Sequence, residues 1–185
     1  APLSAEKKDR LRAIDENLSQ LSPKFRENVL KSTNAFELWI TKEEDLNGLP
    51  ASARTAAREA ATEKGKPGPW QLTFHMPTFF PFMTYAENRA LREKMYRAYA
   101  SRAFKDQYDN QETVLEIVSF MHEKARLLGA KSYAHYALQM RMAETPEQVS
   151  AFLDRLIKAS KPAALKEVAE VQALAETMGL KDKLQ

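Results

Sequence analysis

The tetrad Thr145-Pro146-Glu147-Gln148 constrains this chain more than any other stretch. A threonine hydroxyl can accept the N–H three residues on, proline suits the first helical position, and a glutamine at the third can reach back to the cap, so a helix must start here. Val149, Phe152, Leu153, Leu156 and Ile157 then recur at three-four spacing and are expected to line its inner face. Pro162 should bend the rod, after which Val168, Val171, Ala175 and Met178 resume the rhythm until Gly179 ends it. A helix of that length needs neighbours of its own kind, and the composition agrees: Ala, Leu, Glu, Lys and Arg dominate, and only 5 of 185 residues are glycine.

The same punctuation recurs upstream. Ser4 can cap a first helix in which Leu11, Ile14, Leu18, Leu21, Phe25 and Val29 keep the three-four rhythm toward Phe36, with a kink expected near Ser19 to Ser22 from Pro23. Thr84 to Phe104 reads as one helix with a Thr84/Glu87 capping box. Leu91, Met95, Ala98, Tyr99 and Arg102 share one of its faces, and Arg89, Glu93 and Arg97 alternate in sign on another. Asp109 with Glu112 marks a further start, followed by Val114, Ile117, Val118, Met121, Ala125 and Leu128 up to Gly129, and a short helix is expected from Ser132 to about Met142. Two segments break the pattern: Glu37-Leu38-Trp39-Ile40-Thr41 and Trp70-Gln71-Leu72-Thr73-Phe74 read as an antiparallel strand pair bridged by a helix that opens after Pro50 and stops at Gly65. The proline-broken aromatic run from Phe74 to Tyr85 reads as a buried connector with at most a short helical turn at Pro77. The expected fold is mainly α, with long kinked amphipathic helices and one small two-stranded antiparallel β pair, in a single helical domain over residues 1–185.

Chain chemistry narrows the function classes. No cysteine occurs, so disulfides, thiol catalysis and cysteine metal sites are excluded. A net charge of +3 and a pI near 9.0 permit contact with acidic surfaces but fall far short of a polybasic signature. No apolar run approaches the roughly 20 residues that a membrane span needs. The start Ala1-Pro2-Leu3-Ser4 has neither an initiator methionine nor an apolar leader, which suits a processed form or a piece of something longer, soluble and unanchored. His122-Glu123-Lys124-Ala125-Arg126 approaches the His-Glu-x-x-His helix of zinc peptidases, but Arg126 stands where the second imidazole belongs and a guanidinium cannot ligate zinc. His75 and His135 lie on other segments. The arginines and tyrosines of the Thr84–Phe104 stretch could in principle stack on RNA, yet Glu87 and Glu93 interleave with them, which favours core tyrosines beside solvated ion pairs. No glycine-rich phosphate loop and no nucleophile elbow is present. The residues therefore single out no catalytic, cofactor-binding or metal-ligating position.

Four strings together carry a family likeness: Asn28-Val29-Leu30-Lys31-Ser32-Thr33-Asn34-Ala35-Phe36; Pro81 through Tyr99, with Glu87-Asn88-Arg89-Ala90-Leu91-Arg92-Glu93 at its centre; Leu127-Leu128-Gly129-Ala130-Lys131-Ser132-Tyr133-Ala134; and Met142-Ala143-Glu144-Thr145-Pro146-Glu147-Gln148-Val149. In this order they resemble zinc oligopeptidases of the oligopeptidase A and thimet oligopeptidase family, from about Leu11 to Gln185. The resemblance implies a mostly helical lobe of a several-fold longer, two-lobed metalloprotease whose deep channel admits only short peptides. The family's zinc helix and third glutamate ligand fall beyond the matched region, so no catalytic or zinc residue carries over to this chain. The resemblance thus implies a channel-walling stretch that alone neither cleaves peptides nor holds zinc, that has no nucleic-acid or membrane partner, and that self-associates through apolar surface left uncovered. A cytoplasmic location is expected, with mitochondrion or plastid as the alternative. An independent helical binding module of shared ancestry is the second reading, and an RNA-binding helical domain a more distant third.

Overall fold

The computed structural model describes residues 3–184, so the Ala1-Pro2 start read above lies outside the described residues. The chain is mainly α, with seven α-helices and one two-stranded sheet among the described residues. It divides into two compact units, residues 1–120 and 121–185.

In the first unit, α1 (Ala5–Ala35) starts as expected, with Ser4 Oγ accepting the Lys7 N–H, and carries Pro23 within it. Strand β1 (Leu38–Ile40) pairs antiparallel with β2 (Trp70–Leu72), in the register Leu38 to Leu72, Trp39 to Gln71 and Ile40 to Trp70. Between the strands lie a 3-10 turn (Glu43–Leu46) and α2 (Ala51–Glu63). Helix α2 turns Ala53, Ala57 and Ala61 inward, one small residue per turn, and all three are buried. Methyl-sized side chains at that spacing let the helix backbone approach the sheet closely. Leu38, Ile40, Leu46, Leu72, Phe82 and Met95 fill the core around them. An aromatic group extends it: Phe36 and Phe74 stack with centroids 3.9 Å apart, Tyr99 meets Phe74 edge-on at 5.3 Å, and Phe79 stacks on Tyr99 at 4.4 Å.

Two expectations fail at one place. The aromatic run is a ten-residue helix, α3 (Met76–Tyr85), and the expected Thr84–Phe104 helix is the end of α3 followed by a separate α4 (Arg89–Ala100). The Thr84/Glu87 capping box does not form, because both groups are otherwise engaged. Thr84 Oγ1 donates back to the Phe80 carbonyl at 2.8 Å, and the Glu87 N–H donates to the Asn47 carbonyl at 2.9 Å. Ala86 leaves the helix in an extended conformation, and Asn88 caps α4 by accepting the Leu91 N–H at 3.1 Å. Pro77 sits in the first turn of α3, where a missing N–H does no harm. Pro81 removes one internal bond, and burial of Thr78 and Phe82 holds the helix together regardless.

Helix α4 also ends earlier than its rhythm. Past Ala100 the chain bends through Ala103 and Lys105, both at positive φ, around the Asp106 carboxylate. That carboxylate accepts the Ser32 hydroxyl at 2.6 Å, the Tyr108 N–H at 2.7 Å and the Ala103 N–H at 3.1 Å. Helix α5 (Gln111–Leu127) then begins where Asp109 accepts the Gln111 N–H at 2.9 Å. Just before it, the buried Asn110 is tied to α1 twice, donating to the Phe25 carbonyl at 3.0 Å and accepting from Asn28 Nδ2 at 2.9 Å.

The second unit holds the end of α5, then α6 (Tyr133–Leu138) and α7 (Pro146–Thr177). Helix α6 is capped by Ser132 as expected but ends at Leu138, not near Met142. Helix α7 starts as its tetrad dictates, Thr145 Oγ1 accepting the Gln148 N–H at 3.2 Å, and runs past Pro162 to Thr177. Its expected inner face is not inside: Phe152, Leu153, Leu156 and Ile157 are about half exposed, and no residue of α7 is buried. Periodicity identified the apolar side of this helix correctly, but that side is about half exposed.

Candidate functional site

An open groove of about 670 Å³ runs along α2 in the first unit, lined by Arg54, Arg58, Thr62 and Trp70 with Glu43, Glu59 and Glu63. Helical spacing produces it. Arg54, Arg58 and Thr62 are one turn apart, so they stand in a row, while Ala53, Ala57 and Ala61 face the sheet.

The two arginines do different things. Arg54 donates from Nη2 to the Leu46 carbonyl at 3.0 Å and from Nε to the Leu49 carbonyl at 3.3 Å, with Glu43 3.7 Å from Nη1. It fastens the 3-10 turn to the start of α2 and is architectural. Arg58 lies over the Trp70 ring, 4.9 Å from its centroid, and among the described residues has no carboxylate within ion-pairing distance. A guanidinium with donors to spare, beside an indole and a hydroxyl, can receive a carboxylate while apolar atoms rest on the ring. The groove can therefore bind or guide an acidic or peptide-like group. Its lining includes no histidine, serine or cysteine.

The histidines weighed for metal chemistry have other settings. His75 caps α3 at its amino end without a side-chain cap bond, His122 is exposed on α5, and His135 belongs to a junction in the second unit. There His135 Nδ1 sits 2.8 Å from Ser132 Oγ and Nε2 sits 3.4 Å from Glu147, joining the cap of α6 to the first turn of α7. The Glu147 carboxyl is held below the usual glutamate range, chiefly by its own backbone N–H at the helix start and then, against some desolvation, by His135. Among the described residues no three of His, Asp or Glu come together in a way that could hold a metal ion.

Of the arginines and tyrosines interleaved along and just past α4, Arg102 and Tyr99 brace the interior, whereas Tyr96 is exposed. Arg102, just past the helix, stacks on Tyr99 at 3.6 Å, donates to the Tyr99 carbonyl at 2.9 Å and reaches Thr33 of α1 at 3.2 Å. Arg97 pairs with Glu93 at 2.7 Å in the expected i,i+4 geometry.

The Arg58–Trp70 pairing was invisible in the sequence, because twelve residues and a glycine-proline turn separate the partners. Its signal was available only as an arginine on the α2 face neighbouring the inward alanines.

The family profile of Peptidase family M3 matches residues 82–185, more than half of the chain. The chain belongs to peptidase family M3. It is 43% identical to oligopeptidase A of Haemophilus influenzae over 94% of this chain and 26% of that protein. Oligopeptidase A of Escherichia coli is 41% identical over 99% of this chain and 28% of its own length, and the organellar oligopeptidase A, chloroplastic/mitochondrial, of Arabidopsis thaliana 39% over 96% and 23%. The chain thus spans about a quarter of the length of the curated M3 relatives it matches. No described helix is long and apolar enough to cross a membrane.

Proposed function

We propose that this M3 chain walls the substrate channel of a zinc-dependent oligopeptidase acting on short peptides, and that residues 1–185 serve as one non-catalytic structural part of it. The observation that carries this reading is identity of about 40% to proteins named oligopeptidase A, extending over nearly all of this chain and not over one motif. The α2 groove supports it, since Arg58 and Trp70 present a peptide with a cation for its carboxylate and a flat apolar surface. Zinc is the metal that the resemblance implies. The residues present do not fit it: in the His122–Arg126 stretch, which the resemblance sets apart from the family's zinc helix, Arg126 stands where a second imidazole would be needed, and the described residues bring no three ligands together. We place the chemistry of cleavage in polypeptide other than this one, where the resemblance puts the family's zinc helix, and the protein in the cytoplasm or, as in the organellar relative, within an organelle.

A chimera tests the reading. In Escherichia coli oligopeptidase A, the matched segment is replaced by residues 1–185 of this chain, and cleavage of a graded series of peptides is measured. We expect activity with the upper length limit of the parent preserved or shifted by a few residues. A folded chimera with no activity on any short peptide overturns the proposal. So does the isolated chain if it binds one zinc per molecule and cleaves a short fluorogenic peptide in a chelator-sensitive way.

A further inference from the structure

Helix α7 of the second unit presents a long apolar face whose residues are about half exposed or more. Phe152, Leu156, Val171, Leu174 and Met178 fall on one side of it, at separations that return to the same angle every three or four residues. Their exposures are 52%, 49%, 54%, 60% and 81%. From Phe152 to Met178 the stripe runs about 39 Å at the helical rise of 1.5 Å per residue. Contiguous apolar surface on that scale is rare on a free-standing protein and marks an interaction site. A 32-residue helix without a single buried residue also lacks the tertiary packing from which helices in water take most of their stability.

Its polar members are Ser160, which donates to the Leu156 carbonyl, together with Glu170 and Glu167. Glu167 lies eleven residues after Leu156 and four before Val171, on the same side, and it is not among the charges paired along the helix, where Lys166 and Glu170 are 3.7 Å apart. A covering surface must therefore be apolar over most of its length and offer a lysine or arginine near its middle.

We infer that the α7 stripe is the seat on which the remaining polypeptide of an M3 oligopeptidase docks, through an apolar surface with one cation facing Glu167. The inference rests on the peptidase reading above and deepens it. Relative lengths select this occupant. Relatives at 39–43% identity match this chain nearly end to end and carry roughly three times as much polypeptide besides. The family profile extends through α7, so the helix is part of what those longer proteins share.

The test uses hydrogen exchange on the chimera and on the 185-residue chain, with Leu156→Asp/Val171→Asp as the perturbing pair and Ala169→Asp on the opposite side of α7 as control. Both variants should leave the circular dichroism of the 185-residue chain unchanged, because the substituted positions are exposed in it. We expect amides of residues 152–178 to exchange at least tenfold more slowly in the chimera than in the isolated chain. We expect the stripe variant to abolish that protection and the control to keep it. Equal exchange in both contexts overturns the inference, as does protection indifferent to the stripe variant. A doubled mass in light scattering, with concentration-dependent protection of α7 in the isolated chain that equals the protection in the chimera, overturns it in favour of a second copy. Exchange is read without activity: protection with an inactive chimera refutes the peptidase reading alone, and activity without protection refutes the docking alone.

Discussion

Gly48 holds the junction on which the first unit turns, and its replacement by alanine can be worked out from the geometry. The residue has φ of +84°, and an alanine Cβ built there would lie 2.0 Å from the Tyr85 carbonyl oxygen. Three effects add. The left-handed backbone costs a residue with a Cβ about 1–2 kcal/mol. Relief of the overlap moves the end of α3 away by about 1 Å, which breaks the adjacent hydrogen bond from the Glu87 N–H to the Asn47 carbonyl, about 1 kcal/mol. The same displacement loosens Phe82 and Ala86 in the core, at least about 1 kcal/mol more. Gly65→Ala is the internal control: its φ is +70°, but no atom lies within 4 Å of the added Cβ, so only the first effect applies. Urea unfolding followed by fluorescence of Trp39 and Trp70, the only tryptophans and both in the first unit, reads the difference. Gly48→Ala should destabilise by about 3–4 kcal/mol and lower the midpoint by roughly 1–4 M, with Gly65→Ala at about 1–2 kcal/mol. If the two variants unfold at the same urea concentration, the close approach of Gly48 to Tyr85 is refuted.

Phe82→Ala, at a fully buried position of α3, should cost about 3–5 kcal/mol in the same unfolding experiment, whereas Phe80→Ala, exposed on the same helix, should cost far less. Gln71 is almost wholly buried and its Nε2 has no partner among the described residues, so Gln71→Leu should raise stability by about 1–2 kcal/mol. Desolvation at Asp106 is outweighed by its bonds from Ser32, Tyr108 and Ala103, which hold the carboxyl below the usual aspartate range. A lowered value means the contribution is complete above the unfolded-state pKa of about 3.9 and is lost as pH falls through the folded one. Asp106→Asn should therefore flatten stability against pH below about pH 4 and leave the curve parallel to the parent's at neutral pH.

Local signals survived into the structure where the partner of each group lies within a few residues. The hydroxyls of Ser4, Ser132 and Thr145 each accept an N–H three residues on, and those three helix starts stand where the sequence puts them. The β pair was legible from the aromatic and β-branched residues of the first strand and the alternation of the second, although Gln71, the polar member of that alternation, is buried with Trp70 and Leu72. The failure at Thr84 shows the limit. Its spacing to Glu87 satisfies the capping-box rule, but the N–H that the box would protect is claimed by Asn47, forty residues away in sequence, and Asn88 is steadied by donating to Asp45 at 2.8 Å. A long-range acceptor moved a helix boundary by five residues, and no window around Thr84 contains it.

The functional reading divides along the same line. That Arg126 cannot serve as a second zinc ligand beside His122 follows from one side chain, because a guanidinium has no lone pair to give. The groove at Arg58 and the open face of α7 depend instead on what stands opposite each residue. Periodicity says that Leu156 and Val171 share a side; it carries no term for whether that side is covered. A helix whose pattern asks for a neighbour and whose residues all stay exposed or half-buried is therefore where the proposed docking on the longer M3 proteins can be read most directly.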